Sequence, residues 1–312
     1  MNIYLYSFFY YLLLLSSIVC AQDIYFPSAI YNQINDINHP TFDDYRLIQN
    51  YIDKGDYQAI KRKCGYFLDP KLIGSALNEL PESGMINVNC DKNEKENCVI
   101  MYSSFNRAYP QGLRRVIKQI GESDFKGHIL YRLGGWPNTE GGSLVLSHIP
   151  YAFKVCFFKE AQRLGYKRVL WLDTAVIPVA SLNEIFKMIK KDGHFIAGPN
   201  HVIGPWMNSE AAAAFGMTLE QTLQIPSCAA FVIGIDLENE TSAGMIDSWY
   251  NAASNGGFYS ARSDQSALSI ILYKLGISDF VSLDRIPHRE IGERIKPDSL
   301  FYIDRLTTHV GK

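Results

Sequence analysis

The stretch Arg168-Val169-Leu170-Trp171-Leu172-Asp173 decides the fold class of this chain. Its unbroken apolar run predicts a strand that is buried on both faces, as in parallel sheets covered by helices. Residues 150–164 before it have a helical period, with Pro150 near the first turn and Gly165 just after the end. A capping box, Ser181-Leu182-Asn183-Glu184, predicts that the next helix begins there, and Gly193 is expected to close it.

The same alternation of strands and helices extends over the rest of the chain. Apolar runs predict four further strands and two further helices, the strands at 98–102, 128–131, 194–197 and 229–235 and the helices at 113–120 and 265–275. This order predicts an α/β domain with a mostly parallel, Rossmann-like sheet and helices on both faces. We place that domain at 98–312.

Residues 22–97 differ from the domain that follows them. They are polar and rich in loop-forming residues, with one helical stretch at 43–63 and a charged run at 91–97. We interpret them as a small, partly helical N-terminal extension and a linker.

Residues 1–21 have the pattern of a secretory signal peptide. No charged side chain occurs between Asn2 and Gln22, and Val19 and Ala21 fit the small-residue rule before a cleavage site, although the first residues lack Lys and Arg. The alternative is an uncleaved membrane anchor, since about 19 residues at roughly 1.5 Å each barely cross a ~30 Å hydrocarbon core. Either way the sequence predicts the secretory route, with the protein secreted, lumenal or periplasmic, or anchored in a membrane.

The cysteines are compatible with an oxidising compartment. One disulfide bond is plausible among Cys64, Cys90 and Cys98, whereas Cys156 and Cys228 lie in apolar patterns and are expected to be buried free thiols. The formal net charge of −2 does not indicate a nucleic-acid partner.

Candidate site residues lie near the predicted carboxyl ends of the strands, where open α/β sheets bind ligands. Asp173 ends the central strand, and Ser103 and Asn106 follow the first one. Lys154 lies in the first turn of a helix, where a cation is unfavourable to the helix dipole and is better explained by a phosphate or a carboxylate partner. The alternatives are a turn aspartate, an ordinary loop and a surface lysine.

Two more candidate groups lie later in the chain. Asp264 and Gln265 open an apolar helix, where Asp264 could instead be a simple N-cap. His309 and Lys312 lie near the C-terminus, where a neutral His could ligate a metal and a Lys could hold a phosphate, or the segment could be a frayed tail.

Taken together, these motifs resemble the GT-A superfamily of nucleotide-diphospho-sugar glycosyltransferases, nearest to its glycogenin-like and capsular-type members. The helix with Lys154 and the strand ending in Asp173 resemble the superfamily's lysine-bearing helix and its Asp-x-Asp strand. Residues 227–236 are similar to the later strand behind the acceptor side, and Asp264-Gln265 resembles the Asp-Gln element. The segment 308–312 resembles the terminal His, Gly and Lys motif.

The resemblance implies transfer of a sugar from a nucleotide-diphosphate donor, of which a UDP-sugar is the favoured form, to an unknown acceptor. It implies that Asp173 and His309 hold Mn²⁺ or Mg²⁺, and that Lys154 and Lys312 steady the phosphates. Ser103 and Asn106, by their position after the first strand, are the polar groups expected to meet the nucleoside. Asp264 and Gln265 would then face the reacting sugar and act as the catalytic pair.

The sequence departs from this pattern at two places. The second Asp of Asp-x-Asp is Ala175, and the terminal motif is compressed. We therefore expect metal binding that is weak or dependent on the donor. Two alternatives stay open: an inactive descendant that binds sugar or protein, and another kind of secreted α/β enzyme. No Gly-x-Ser-x-Gly motif occurs, which counts against an esterase as the latter.

Overall fold

The computed structural model describes residues 82–103, 109–133, 146, 149 and 151–305. Within these ranges the main sheet has six strands, which are β1 (Glu82–Val88), β2 (Asn97–Ser103), β3 (Gly127–Leu133), β4 (Arg168–Leu172), β6 (His194–Ala197) and β7 (Ala229–Asp236). A separate two-stranded ladder joins β5 (Val176–Pro178) to β8 (Phe301–Ile303) in antiparallel orientation.

The sheet order is β1-β3-β2-β4-β7-β6, with β4 near its centre. The pairs β3–β2 and β2–β4 are parallel, whereas β1–β3, β4–β7 and β7–β6 are antiparallel. Four of the six strands therefore point in one direction, and β1 and β7 point in the other. The predicted α/β class with a Rossmann-like sheet is confirmed.

Helices cover both faces of the sheet. One face packs against α2 (Ala152–Arg163), α6 (Glu240–Ser254) and α7 (Ser263–Lys274), and the other packs against α1 (Tyr109–Gly121) and α3 (Leu182–Asp192). Two short helices, α4 (Ser209–Ala213) and α5 (Leu219–Thr222), lie between β6 and β7. Each face has its own core of buried apolar side chains, because the strands alternate their side chains between the two.

Strand β1 adds an edge to the sheet on the N-terminal side of residue 98. Residues 82–88 pair with the whole of β3, although the sequence analysis assigned them to the extension. Among the described residues the sheet therefore begins at Glu82. The helical stretch at 43–63 and the N-terminal segment 1–21 lie outside the described residues.

The predicted capping box at α3 is wrong in its side-chain contacts. Ser181 occupies the N-cap position and Gly193 closes the helix in a left-handed conformation, as expected. The Ser181 hydroxyl, however, donates to the carboxylate of Asp124, which lies in the loop before β3. Asn183 bonds the backbone of the same loop, so this helix start is fixed by a neighbouring segment rather than by its own side chains.

The described cysteines are free thiols. Cys98 is fully buried in β2 and Cys90 donates from Sγ to the carbonyl of Gly127, so these two are not bonded to each other; Cys64 lies outside the described residues. Cys156 and Cys228 are buried free thiols, which confirms that prediction. Within the described ranges, no helix is long and apolar enough to cross a membrane.

Candidate functional site

A buried lysine contacts two carboxylates at the carboxyl end of the central strand β4. Lys154 Nζ lies 2.8 Å from Asp264 Oδ2 and 3.3 Å from Asp173 Oδ1, and it donates a 2.8 Å hydrogen bond to the carbonyl of Ala230. The residue is 4% exposed. The carbonyl of Ala230 is the hydrogen-bond acceptor of Nζ, whereas the contacts with the two carboxylates are ion pairs, and Asp264 Oδ2 is a buried oxygen without an aligned hydrogen bond among the described residues.

Four separate elements bring this cluster together. Lys154 lies in the first turn of α2, Asp173 follows the carboxyl end of β4, and Asp264 lies in the first turn of α7. Ala230 is near the beginning of β7, which runs antiparallel to β4 and so starts where β4 ends. The backbone N–H of Asp173 bonds the carbonyl of Phe231, which fixes the two strand ends to each other.

The two carboxylates differ in their exposure. The side chain of Asp264 is 7% exposed, whereas that of Asp173 is 38% exposed. Asp173 Oδ1 accepts a hydrogen bond from the indole N–H of Trp171 at 2.7 Å, in addition to its contact with Lys154. Oδ2 of Asp173 has no hydrogen-bond partner among the described residues, so this oxygen is available to a ligand.

Burial and charge act in opposite directions on the cluster. Burial opposes the charged form of Lys154, but Asp173 and Asp264 outweigh it and raise the pKa of the lysine above its ordinary value. Burial raises the pKa of Asp173, although Lys154 and the Trp171 indole each lower it. With both carboxylates ionised, the cluster has a net charge of −1.

Aromatic rings enclose the ammonium group. Lys154 Nζ lies 5.6 Å from the ring centre of Tyr151 and 5.5 Å from that of Trp171, within the range of cation–π attraction. Tyr151 has a left-handed backbone, with φ 61° and ψ 0°, at the N-cap of α2. This conformation is uncommon outside glycine and is often found at functional sites. Burial raises the pKa of Tyr151 to about 12, and Asp264 adds to the rise.

The other predicted site residues divide into three groups. Gln265 is half-buried and donates from Nε2 to the Ser227 hydroxyl at 2.7 Å, beside the cluster. Ser103 ends β2, the neighbour of β4, and is 1% exposed. Asn106, His309 and Lys312 lie outside the described residues.

The structure also corrects one alternative and revises one expectation. Asp264 is not the N-cap of α7, because Arg262 occupies that position and Asp264 turns to Lys154. Lys154 is buried against Asp173, Asp264 and the Ala230 carbonyl, so a phosphate could contact Nζ directly only if one of these groups moved. Ala175, which replaces the second Asp of the motif, packs against the apolar core on the α1 and α3 face.

The described residues alone do not make a metal site. Among them no group of three or more His, Cys, Asp or Glu side chains could hold an ion. Asp173 Oδ2 is the one oxygen of the predicted ligand set that they offer, and the other predicted ligand, His309, lies beyond them. The described residues therefore do not define the coordination shell of a metal ion.

Sequence reasoning missed three contributors to the cluster. The sequence predicts Trp171 only as part of a buried strand, yet its indole N–H orients Asp173. Tyr151 and the Ala230 carbonyl were not considered. A tryptophan two residues before a strand-end carboxylate is a usable signal, since its N–H needs a partner when buried; a backbone carbonyl leaves no signal in the sequence.

Comparisons with known proteins give a limited result. No family model matches the chain, and no curated protein matches it. The solved structures include a similar one, the apo crystal structure of mouse xyloside xylosyltransferase 1, with a TM-score of 0.39 and 9% identity. The match covers 69% of this chain and 100% of that one. At this level of similarity the comparison carries no argument about function, which has to rest on the site.

Proposed function

We propose that the protein is a glycosyltransferase that moves a sugar from a nucleotide-diphosphate donor, a UDP-sugar in the simplest case, to an acceptor. The observation that supports this proposal most is the meeting of Lys154, Asp173 and Asp264. They come from three separate motifs that resemble the GT-A pattern, and both carboxylates lie within 3.3 Å of Lys154 Nζ. Their position at the carboxyl end of β4 is where an open α/β sheet binds its ligands.

The cluster suits a reaction in which positive charge develops on a sugar. The anomeric carbon becomes oxocarbenium-like during glycosyl transfer, and a nearby carboxylate stabilises it. Asp264 is buried and held in place by Lys154, so its orientation is fixed before the substrate arrives. In this proposal Asp264 faces the reacting sugar, with Gln265 beside it, and Lys154 positions both carboxylates.

The leaving diphosphate needs positive charge that the described cluster does not supply. Asp304, near the end of the described residues, donates its N–H to the carbonyl of Ala175, two residues from Asp173. His309 is five positions after Asp304, and an extended chain spans at most about 17 Å over that length. We propose that His309 and Lys312 reach the donor phosphates from this anchor, with Mn²⁺ or Mg²⁺ bound in a donor-dependent way.

A second candidate function is donor binding without turnover. Two observations favour it: Ala175 leaves the motif with one carboxylate, and Lys154 is buried against two carboxylates and a backbone carbonyl. Such a protein would bind a nucleotide diphosphate but would not release the sugar. The proposed setting is the secretory route, on the basis of residues 1–21.

A binding and hydrolysis panel tests both candidates. The full chain is screened against nucleoside diphosphates and nucleotide sugars, with and without Mn²⁺, by thermal shift. A ligand at about 100 times its dissociation constant adds ~2.7 kcal/mol, which raises the melting temperature of a domain near 200 residues by roughly 5–10 °C. Hydrolysis of the stabilising donor then separates an enzyme from a binding protein.

The matched control pair is Asp173→Asn and Asp192→Asn. Asp192 is an exposed carboxylate in the last turn of α3. We expect the first substitution to abolish the thermal shift and the second to leave it unchanged. The proposal is rejected if no nucleotide ligand raises the melting temperature under any metal condition.

A further inference from the structure

A cationic and aromatic cluster lies next to the proposed active site. The guanidinium carbon of Arg262 lies 4.1 Å from the ring centre of Trp206, and the ring of His201 meets the same indole edge-on at 4.0 Å. Arg262 is exposed and Trp206 is half-exposed. We call these three residues the Arg262 cluster.

Arg262 is held by a ring instead of by a carboxylate. Other described arginines, such as Arg115, Arg132 and Arg168, pair with Asp or Glu. No described residue accepts a hydrogen bond from the Arg262 guanidinium, and none bonds the indole N–H of Trp206. The ring contact holds the guanidinium while its N–H groups have no acceptor among the described residues, an arrangement suited to a planar or tetrahedral anion.

The segment that carries Arg262 is fixed by hydrogen bonds. Ala261 N–H bonds the carbonyl of Trp206 at 3.0 Å, and Asn208 Nδ2 donates to the carbonyl of Tyr259 at 2.6 Å. Burial lowers the pKa of His201, and Arg262 lowers it further, so the imidazole is neutral at pH 7. The positive charge of the cluster therefore resides on Arg262.

The cluster connects directly to the predicted catalytic pair. Arg262 is two residues before Asp264, a separation of at most about 7 Å along the chain. The carbonyl of His201 accepts from the N–H of Ser227, and the Ser227 hydroxyl accepts from Gln265. These links place the Arg262 cluster in the neighbourhood of Asp264 and Gln265, next to the start of β7.

We infer that the Arg262 cluster is an acceptor subsite that binds an anionic group, a carboxylate or a phosphate, on the molecule that receives the sugar. This inference rests on the proposed transferase function. The carboxylate pair at Lys154 has a net negative charge and repels an anionic acceptor, whereas Arg262 draws the charged group to one side. The acceptor hydroxyl can then approach Asp264 while the anion stays on the guanidinium.

The test measures binding of three small glycosides to the full chain by ligand-observed NMR titration. Methyl β-D-glucuronide supplies a carboxylate, glucose 6-phosphate supplies a phosphate, and methyl β-D-glucoside is the neutral reference. We expect at least one of the acidic probes to bind about tenfold or more tightly than the neutral one, as for a hydrogen bond to a charged group. The acidic probe that binds identifies the source of the anion.

Arg262→Gln should remove this preference and leave the affinity for the nucleoside diphosphate unchanged. The matched control is Arg114→Gln, an exposed arginine on α1 at the opposite face of the sheet, which should keep the preference. Both variants should melt within about 2 °C of the unmodified chain, as expected for surface changes.

Two results would overturn the inference. One is equal affinity of the unmodified chain for all three glycosides. The other is a loss of nucleoside diphosphate binding in Arg262→Gln, which would assign the guanidinium to the donor. Both differ from failure of the proposed function, in which the unmodified chain binds no nucleotide.

Discussion

At the scale of single residues, Asp264 combines a structural contact with the proposed catalytic role. Asp264→Asn keeps the shape of the side chain but removes the charge that faces Lys154 and the sugar. We expect donor turnover to fall roughly 10²-fold or more, as for loss of one acid/base or transition-state group. We also expect a loss of about 1–3 kcal/mol in unfolding free energy, because a buried charged partner is removed.

The control for this prediction is Asp236→Asn. Asp236 is also buried, at the other end of β7, where it accepts from the backbone of Glu238. It should lose stability without losing turnover. Unchanged turnover in Asp264→Asn, measured by release of the nucleoside diphosphate, would leave Asp264 with a structural role alone.

Lys154 gives a prediction about stability and pH. Lys154→Met leaves Asp173 and Asp264 without their shared cation, and removing one partner of a buried ion pair costs about 3 kcal/mol or more. The pKa of Lys154 is raised in the folded state, so its stabilising effect is complete below the ordinary value of 10.5. The effect disappears as the pH rises through the higher folded-state value.

Denaturant titrations of the two proteins between pH 5 and pH 11 measure this difference. The gap in unfolding free energy should be largest near neutral pH and shrink above pH 10.5. It should also shrink towards pH 5, because the variant can protonate its unpaired carboxylates. Lys190→Met on the exposed side of α3 is the control and should show no gap. A gap that does not depend on pH would mean that Lys154 acts through packing.

At the scale of the elements, helix α1 supports the site from the opposite face of the sheet. A Cβ at Gly112 would lie 2.6 Å from the carbonyl oxygen of Thr174, the residue after Asp173. Gly112→Ala should therefore displace the turn between β4 and β5 and weaken nucleotide binding. It should also lose about 1–3 kcal/mol of stability through overpacking, even though Ala is the better helix former.

Gly121→Ala is the matched control within the same helix. Gly121 has nothing within 4 Å of an added Cβ, so the substitution should be neutral or stabilising by up to about 1 kcal/mol. Thermal unfolding and nucleotide titration of both variants make the comparison. If Gly112→Ala matches Gly121→Ala in both measurements, the contact between α1 and the turn does not position Asp173.

The elements that the sequence analysis found are those with a strong local pattern. The buried runs of β2, β4 and β7 and the helix ends marked by Gly193 and Gly276 carry their signal within a few residues. Strand β1 was missed because it is an edge strand whose side chains are mostly exposed or half-buried. The β5–β8 ladder was missed because its strands are more than 120 positions apart and three residues long each.

The candidate site was predictable to a similar extent. The order of Lys154, Asp173 and Asp264 suggested that they meet, through resemblance to a known pattern. The pairing of Lys154 with both carboxylates could not be predicted, since the sequence does not show which groups its ammonium contacts. The Arg262 cluster depends on a contact between two loops. His201 and Trp206 lie between β6 and β7, whereas Arg262 lies just before α7, and no local pattern predicts that they meet.

At the scale of the whole molecule, elements from distant parts of the chain meet near the carboxyl end of β4. The ladder of β5 and β8 brings Asp304 to Ala175, and Arg115 and Arg289 both bond the Asp304 carboxylate. These contacts fix the point from which residues 306–312 depart. The last seven residues can therefore be removed without deleting any contact that the structure describes.

A chain truncated after Arg305 tests whether that segment completes the donor site. Mn²⁺ is titrated calorimetrically into the intact chain alone and into the chain with nucleoside diphosphate, and both titrations are repeated on the truncated chain. A divalent cation beside a diphosphate needs several oxygen or nitrogen ligands, whereas the described residues offer one free oxygen on Asp173. We expect weak binding of Mn²⁺ to the intact chain alone and strong mutual dependence of metal and nucleotide.

Truncation should abolish that dependence, because it removes both His309 and Lys312. The melting temperature without ligand should change by no more than about 5 °C, since the described packing is retained. His309→Ala and Lys312→Ala then separate the metal ligand from the phosphate contact: the first should weaken Mn²⁺ binding, and the second should weaken nucleotide binding with or without metal. Tight Mn²⁺ binding by the intact chain without nucleotide would refute the incomplete site. Unchanged coupling in the truncated chain would place the missing ligands elsewhere. Residues 104–108 and 134–145 would then be the next segments to test, because they follow β2 and β3, whose carboxyl ends lie at the same end of the sheet as that of β4.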